Sequence, residues 1–478
     1  MRVVAIDQGT SSTRALVLDE TGKGQIVCTR EHRQIYPQAG WVEHDPEELL
    51  AHVTDCLEAA GPVDAVGIDN QGESCLAWDS ETGRAISPVI VWQDRRTENF
   101  IEQLKSDGAQ ELTMARAGLP PDPYFSASKL KWIMDNVSAA RDLSARGRLY
   151  LGTTDAFFIH RLTGVFATDI TTASRTSLLN LETGQWDPDL CDLFKVPVEA
   201  LPEIRPTMGD FGAIRLAGRA APVRASVVDQ QAALYGHGCR RAGDAKITFG
   251  TGAFALAVTG NRIVRAPDKG LLPTIGWQAA GEKPVYALDG GVYCASSALN
   301  WAKSLGLFAR FDEINRFDSA PAITRNLVFV PALTGLGCPF WDGSAAGLWI
   351  GMSLDTSPKD MVQAILEGIA LRTAQVIDAM DDLVSIGDGI SIDGGMSRNR
   401  YFCQFLADVL QRRIHVPSSG EQTALGTAMM AMGPDCSLPA ETQQGASYVP
   451  KAEYDGVRER FADATGRARN WHNTTRLS

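Results

Sequence analysis

VVAIDQGTSSTRALVL, residues 3–18, is the stretch on which the reading of this chain turns. Val3-Val4-Ala5-Ile6 is an apolar, β-branched run that predicts a buried strand. Asp7 to Arg14 follows, and Ala15 to Leu18 predicts a second strand directly after it. Two strands joined by so short a polar segment make a hairpin. Its turn carries a carboxylate, one glycine, four hydroxyls and an arginine. Backbone N–H groups in such a turn form a concave anion nest, to which Thr10, Ser11, Ser12 and Arg14 add donors. Asp7, at the strand end, is placed to hold a hydrated Mg²⁺ beside a polyphosphate. An ordinary hairpin rich in Ser and Thr would look the same in isolation.

A second copy separates the two readings. KITFGTGAFALAV, residues 246–258, repeats strand, glycine–threonine turn and strand near mid-chain. Two phosphate-type hairpins half a chain apart predict two related domains that grip one nucleotide between them. No G-x-x-x-x-G-K-[ST] and no G-x-G-x-x-G occurs, so neither common nucleotide loop is available as an alternative.

Bulk properties narrow the class. With 478 residues, 44% of them hydrophobic, the chain has ample material for two domains of about 240 residues each. The boundary is placed at Gly236-His237-Gly238, giving domains 1–237 and 238–478. A net charge of −12 argues against nucleic acid or an acidic membrane as partner. Nine cysteines, with no C-x-x-C pair and no leader before Val3, read as reduced thiols of a cytoplasmic protein. No apolar run approaches the roughly 18 residues of a membrane span.

Polar residues gather where the predicted strands end, as on the ligand edge of an open α/β sheet. Asp45 reads as the N-cap and Pro46 as the first residue of a helix to Ala60. The strand Val63 to Ile68 ends in Asp69-Asn70-Gln71-Gly72-Glu73-Ser74. Gly118 to Tyr124, with three prolines, interrupts a helical region and forms a loop presenting Tyr124. A strand at Ala225 to Val228 meets Asp229-Gln230-Gln231 at a helix start. In the second half, Ser357 to Asp360 predicts a capping box for a helix reaching about Leu383. Ile390 to Ile392 predicts a strand ending in Asp393-Gly394-Gly395, followed by a helix from Asn399 to Gln411. Its small-residue entry suits a flat adenine ring. The tail after Met432 is polar and weakly patterned.

Asp229 is the candidate general base, because a hydroxyl attacking a γ-phosphate must lose its proton to a positioned acceptor. An Asp at a strand–helix junction also reads as an N-cap, and the two roles are compatible. Glu73 and Tyr124 suit neutral hydroxyls, and Trp92 and Phe254 suit the carbon edge of a polyol, although lone aromatics more commonly fill cores. His44 and His237 have no partner at metal spacing and read as structural. A carboxylate base with two phosphate turns also serves water, so residue chemistry alone leaves a kinase and an ATPase both open.

Motifs along nearly the whole chain resemble the FGGY carbohydrate kinases, a branch of the actin-like ATPases. These are DQGTSSTRA from Asp7, GWVEHDP from Gly40, VWQDRRT from Val91, DPYFSASKLKWIMDN from Asp122 and TASRT from Thr172. DQQAALYG from Asp229, TFGTGAF from Thr248, TGLGCPFWD from Thr334 and DGGMSRN from Asp393 complete the series, and Gly347 to Glu367 fits the family's second signature. The resemblance implies an α/β, two-domain actin-like (ribonuclease H-like) fold with duplicated domains and a cleft between them. It implies ATP- and Mg²⁺-dependent transfer of the γ-phosphoryl to a terminal hydroxyl of a small polyol, glycerol foremost. The alternatives are a four- or five-carbon polyol or ketose, and an actin-like ATPase with no sugar acceptor.

Carried over residue by residue, Asp229 is the base and Asp7 supports the metal. Thr10, Ser11, Ser12, Arg14 and Thr251 hold phosphates, and Ser296, Asn300, Gly395 and Asn399 line the adenosine. Glu73, Tyr124 and Gln230 bind substrate hydroxyls, with Trp92 and Phe254 flanking the carbon chain. The resemblance also implies a homo-oligomer, dimer or tetramer. Three departures stand out. Gly72 occupies a position where the glycerol-using members carry arginine, which removes a charged donor and is expected to leave space for a longer acceptor. On that reading, Gly72→Arg would improve the use of glycerol. Val228 precedes Asp229 where the family carries glycine, an expected change of backbone there. Gly212 to Val228 lacks the Gly/Arg-rich loop with which some members bind a regulatory sugar bisphosphate, so no such inhibition is expected.

Overall fold

The computed structural model describes residues 1–216, 218–436 and 445–472. Its framework is two twisted sheets of the same design. In the first, the hairpin Val3–Gln8/Ser12–Leu18 is antiparallel, and Gly24–Glu31 pairs antiparallel with its second strand. On the other side, Val3–Gln8 pairs parallel with Ala65–Asn70, which pairs parallel with Arg219–Val228. In the second sheet, Ala245–Phe249/Ala253–Gly260 is the hairpin, extended antiparallel by Val285–Val292 and Leu272–Trp277. Ala245–Phe249 then pairs parallel with Gly389–Gly394, and that strand with Arg413–Pro417. Each repeat therefore places a polar turn beside the carboxyl end of a parallel strand, where ligands of open α/β sheets collect.

Local chemistry explains the boundaries. Asp45 accepts the amides of Glu47 and Glu48, and Pro46 opens the helix Pro46–Ala60. Ser357 and Asp360 form the expected capping box of the helix Pro358–Asp381, which buries a long apolar face. The helix Gln422–Met432 lies across both halves: its Ala424, Ala428 and Met429 share a core with Val3, Ala5, Val227 and Leu256. It also meets the helix Asp229–Gly236. A Cβ on Gly426 would lie 1.9 Å from Ala232 O, and one on Gly236 2.0 Å from Gln422 O. The glycines thus let two backbones touch, and this contact seats the helix that begins at Asp229.

The polar tail yields a correction. Gly445–Tyr448 adds an edge strand, and Val457–Ala468 is a helix burying Val457, Phe461, Ala464 and Ala468. All nine cysteines are free. Among the described residues no helix is long and apolar enough to cross a membrane.

Candidate active site

Three acids sit at the ends of adjacent strands of the first sheet, Asp7 and Asp69 within theirs and Asp229 just past the third. Asp7 and Asp69 are register partners, and Val228, the residue before Asp229, is opposite Asn70. Burial is the main cause raising the Asp7 and Asp69 carboxyls, and Asp7 raises Asp69 further. Asp69 Oδ2 accepts Thr427 Oγ1 at 2.7 Å, and its carboxyl meets that of Asp7, while no protein N–H or hydroxyl donates to its buried Oδ1. Asp229 is the first residue of its helix, not the cap, and its Oδ1 accepts the Gln230 amide at 2.7 Å. Burial, then the charge of Glu73, pushes Asp229 up to about 7. A carboxylate at that value is suited to taking a proton near neutrality.

Glu73 adopts a left-handed backbone, φ 63°, uncommon for a residue with a Cβ. Ser126 Oγ holds its carbonyl at 3.0 Å, and Arg175 Nε donates to Oε1 at 2.8 Å. Burial raises the Glu73 carboxyl, with Arg175 opposing. Trp92 is set by Ser74, whose Oγ accepts the Trp92 amide at 3.1 Å, and by its own Nε1, which donates to Thr10 Oγ1 at 3.0 Å. Its ring meets Tyr124 edge to face, centroids 5.6 Å apart. The Tyr124 loop is pinned by the buried Lys129, whose Nζ donates to the carbonyls of Pro123, Tyr124 and Phe125. Gln230 Oε1 accepts Lys246 Nζ at 2.6 Å. Phe254 lies on the second sheet over Gly291.

Gly72 does not open the space expected of it. A Cβ there would lie 2.3 Å from Val228 Cγ2. The valine fills the volume, so the two departures noted in the sequence form one contact. Gly72→Arg alone is accordingly a clash and not a restoration. Val228 itself has ordinary extended backbone, φ −78° and ψ 144°, so the expected distortion before Asp229 is absent.

At the second hairpin, the turn Gly250–Gly252 is clamped to a helix start: the Ala295 and Ser297 amides donate to Thr251 O, and Ser296 N to Gly250 O. Ser296 Oγ lies 3.9 Å from the Cβ position of Gly395, so Ser296, Thr251 and Gly395 come together, with Asn300 one turn along. Three expected binders already have side-chain partners, Thr10 among them through Trp92 Nε1. Arg14 Nη1 pairs with Glu421 at 2.8 Å. The Asn399 amide caps its helix at Phe402 N and donates to Ile314 O. Ser11 is exposed at the first turn, with Ser12 beside it. An open cavity of about 690 Å³ lies beside Asn399 and not at Asp229, lined by Asn315, Arg316, Phe317, Arg398, Arg400 and Tyr401.

Sequence reasoning missed Asp69, Arg175, Lys129 and Lys246. Asp69 was legible as the acid ending a strand parallel to the one ending in Asp7. Arg175 and Lys246 are brought in by packing between residues distant in sequence, whereas Lys129 reaches back four to six residues to pin the Tyr124 loop.

The family model for the N-terminal domain of the FGGY carbohydrate kinases matches residues 2–236, and that for the C-terminal domain matches 245–433. The chain belongs to the FGGY family of carbohydrate kinases. A glycerol kinase of Haloferax volcanii is 41% identical over 453 residues, covering 90% of this chain and 89% of that one. A glycerol kinase of Haloarcula marismortui is 38% identical, with 98% of each chain covered. Among solved structures, Plasmodium falciparum glycerol kinase with ADP superposes with a TM-score of 0.90 at 29% identity, covering 98% of both chains. A xylulose kinase from Rhodospirillum rubrum shares the fold, with a TM-score of 0.83 at 23% identity and 100% and 99% covered.

Proposed function

We propose that this protein transfers the γ-phosphoryl group of ATP to a terminal hydroxyl of glycerol, yielding glycerol 3-phosphate and ADP. Asp229 accepts the hydroxyl proton as that oxygen bonds to the γ-phosphorus. The bond from phosphorus to the β–γ bridging oxygen breaks, and its electrons leave on ADP. Glu73, Tyr124 and Gln230 hold the acceptor hydroxyls, and Trp92 and Phe254 border its carbons. The turns at Thr10–Ser12 and Thr251 supply amides and hydroxyls to the phosphates, with Arg14 at their edge. Ser296, Asn300 and Gly395 border the nucleoside, and Asn399 shapes that wall through its cap.

Asp7 and Asp69 fit one hydrated Mg²⁺: they are adjacent acids, Asp69 buried and Asp7 half-buried, whose carboxyls meet, and no protein N–H or hydroxyl donates to Asp69 Oδ1. Among the described residues no three His, Cys, Asp or Glu side chains converge as a ligand set. That suits an ion held by one or two carboxylates, waters and phosphates. When bound, it neutralises charge on the β- and γ-phosphates.

The observation favouring glycerol over a longer acceptor is the Val228 methyl seated against Gly72, so the glycine leaves no open volume at residue 72 for a longer chain. ADP release measured over glycerol, erythritol, ribitol and xylulose tests the reading. Glycerol should give the highest kcat/KM. If glycerol turned over no faster than the blank while a longer acceptor did, this assignment would be discarded. Equal ADP release without any acceptor would point to an ATPase.

A further inference from the structure

Arg175 sits where the two halves of the molecule meet, and its hydrogen bonding is incomplete. Its side chain is 7% exposed. Nε donates to Glu73 Oε1 at 2.8 Å, and Nη2 lies 3.2 Å from Asp289 Oδ2 on the strand Val285–Val292 of the second sheet. The guanidinium carbon is 5.9 Å from the Tyr124 ring centre and 5.5 Å from that of Phe125. Burial works against the charge, but Glu73 and Asp289 outweigh it and Arg175 stays protonated. Nη1 is buried and has no hydrogen-bond partner. A buried charged donor left unpaired is costly, so a ligand atom that would complete it binds strongly there.

We propose that Arg175 Nη1 donates to a non-reacting hydroxyl of the acceptor, making Arg175 a binding and specificity residue of this pocket. This rests on the polyol-kinase reading. The neighbouring groups suit that contact. Glu73 accepts from a hydroxyl while Arg175 donates to one, so a pair of hydroxyls on adjacent carbons meets one acceptor and one donor. Such matching rejects an analogue that lacks the hydroxyl, because the buried donor is then left bare. Because Nη2 holds Asp289, the acceptor site also draws on the second half of the chain. Residue 72 supplies no cation here, and Arg175 is the guanidinium that touches Glu73.

The test is Arg175→Lys in the full-length enzyme, with glycerol, propane-1,2-diol and propane-1,3-diol as acceptors. Lysine keeps a positive charge between Glu73 and Asp289 but cannot reach in three directions at once. Glycerol kcat/KM should fall about 10- to 100-fold, mostly through KM. The penalty should vanish for whichever diol lacks the contacted hydroxyl and persist for the other. A loss by the same factor on all three acceptors would mean that Arg175 only shapes the pocket, and the proposal would fail while the kinase reading stood. Wild-type enzyme inactive on all three would overturn both. Should the variant fail to fold, a wild-type crystal structure with glycerol decides. An acceptor oxygen within about 3.2 Å of Nη1 supports the assignment, and glycerol bound with Nη1 still bare refutes it.

Discussion

Adding one methyl group at Gly72 should cost the protein more than its size suggests, and removing methyls from Val228 should cancel that cost. A Cβ at residue 72 would stand 2.3 Å from Val228 Cγ2, against about 3.5–4.0 Å for an unstrained carbon pair. Gly72 is not among the glycines with positive φ, so the backbone accepts alanine and the clash is the whole penalty. Overpacking of this kind costs about 1–3 kcal/mol. Val228 is 2% exposed, and Val228→Ala alone should lose about 2 kcal/mol in burial and cavity. In the Val228→Ala background, Gly72→Ala should be neutral or slightly stabilising, since it lowers unfolded-state entropy. The double-mutant cycle, read by urea unfolding, should therefore show a coupling of about 2 kcal/mol. The glycerol KM should rise in Gly72→Ala and recover in the double variant, because residues 72 and 228 immediately precede Glu73 and Asp229. Additivity within about 0.5 kcal/mol would refute the contact.

The other expectations concern charge and backbone contact. Asp229 titrates in the folded protein at about 7, above its ordinary value, so kcat/KM should fall with unit slope as pH drops through about 7. The same shift means that the folded state binds the extra proton between about pH 4 and 7, so stability falls as pH rises through that window. Asp229→Asn removes this term and should stabilise the free enzyme at pH 8 by at most about 4 kcal/mol, with the gain gone near pH 4. An equal gain at both pH values in urea melts would contradict it. Gly426→Ala drives a methyl to within 1.9 Å of Ala232 O, a clash that only movement of the helix Asp229–Gly236 relieves, and should cost about 3 kcal/mol and depress kcat by shifting that helix. An unfolding midpoint equal to wild type would show that the two helices do not touch. Arg14 and Glu421 are each about one-third exposed, so Glu421→Gln should change stability by less than about 1 kcal/mol. Freed from Glu421, Arg14 should lower the KM for ATP, and an unchanged KM would place it away from the phosphates.

Much of the framework was legible because it is locally encoded. The two hairpins announce themselves by apolar runs around glycine–threonine turns, and Asp45-Pro46 and Ser357-Asp360 by capping chemistry. Asp229, Glu73 and Trp92 were legible as polar or aromatic residues at strand ends. The failures share a cause, which is contact between residues distant in sequence. Gly72 and Val228 read as independent departures, and only the adjacency of their strands shows that one fills the space of the other. Arg175 lies 102 residues from Glu73 and 114 from Asp289, and no periodicity links them. The terminal helix was missed for another reason. Val457, Phe461, Ala464 and Ala468 do follow helical spacing, but the surrounding charge masks so sparse a stripe.

The central claim is that one carboxylate, Asp229, takes the proton of a polyol as phosphorus is transferred. Single-turnover transfer from γ-labelled ATP to glycerol, with Asp229→Asn in excess over nucleotide, tests it most directly. Binding of ATP and glycerol should stay within about threefold of wild type while transfer slows by about 10²- to 10⁴-fold. Transfer within about tenfold of wild type would contradict the account.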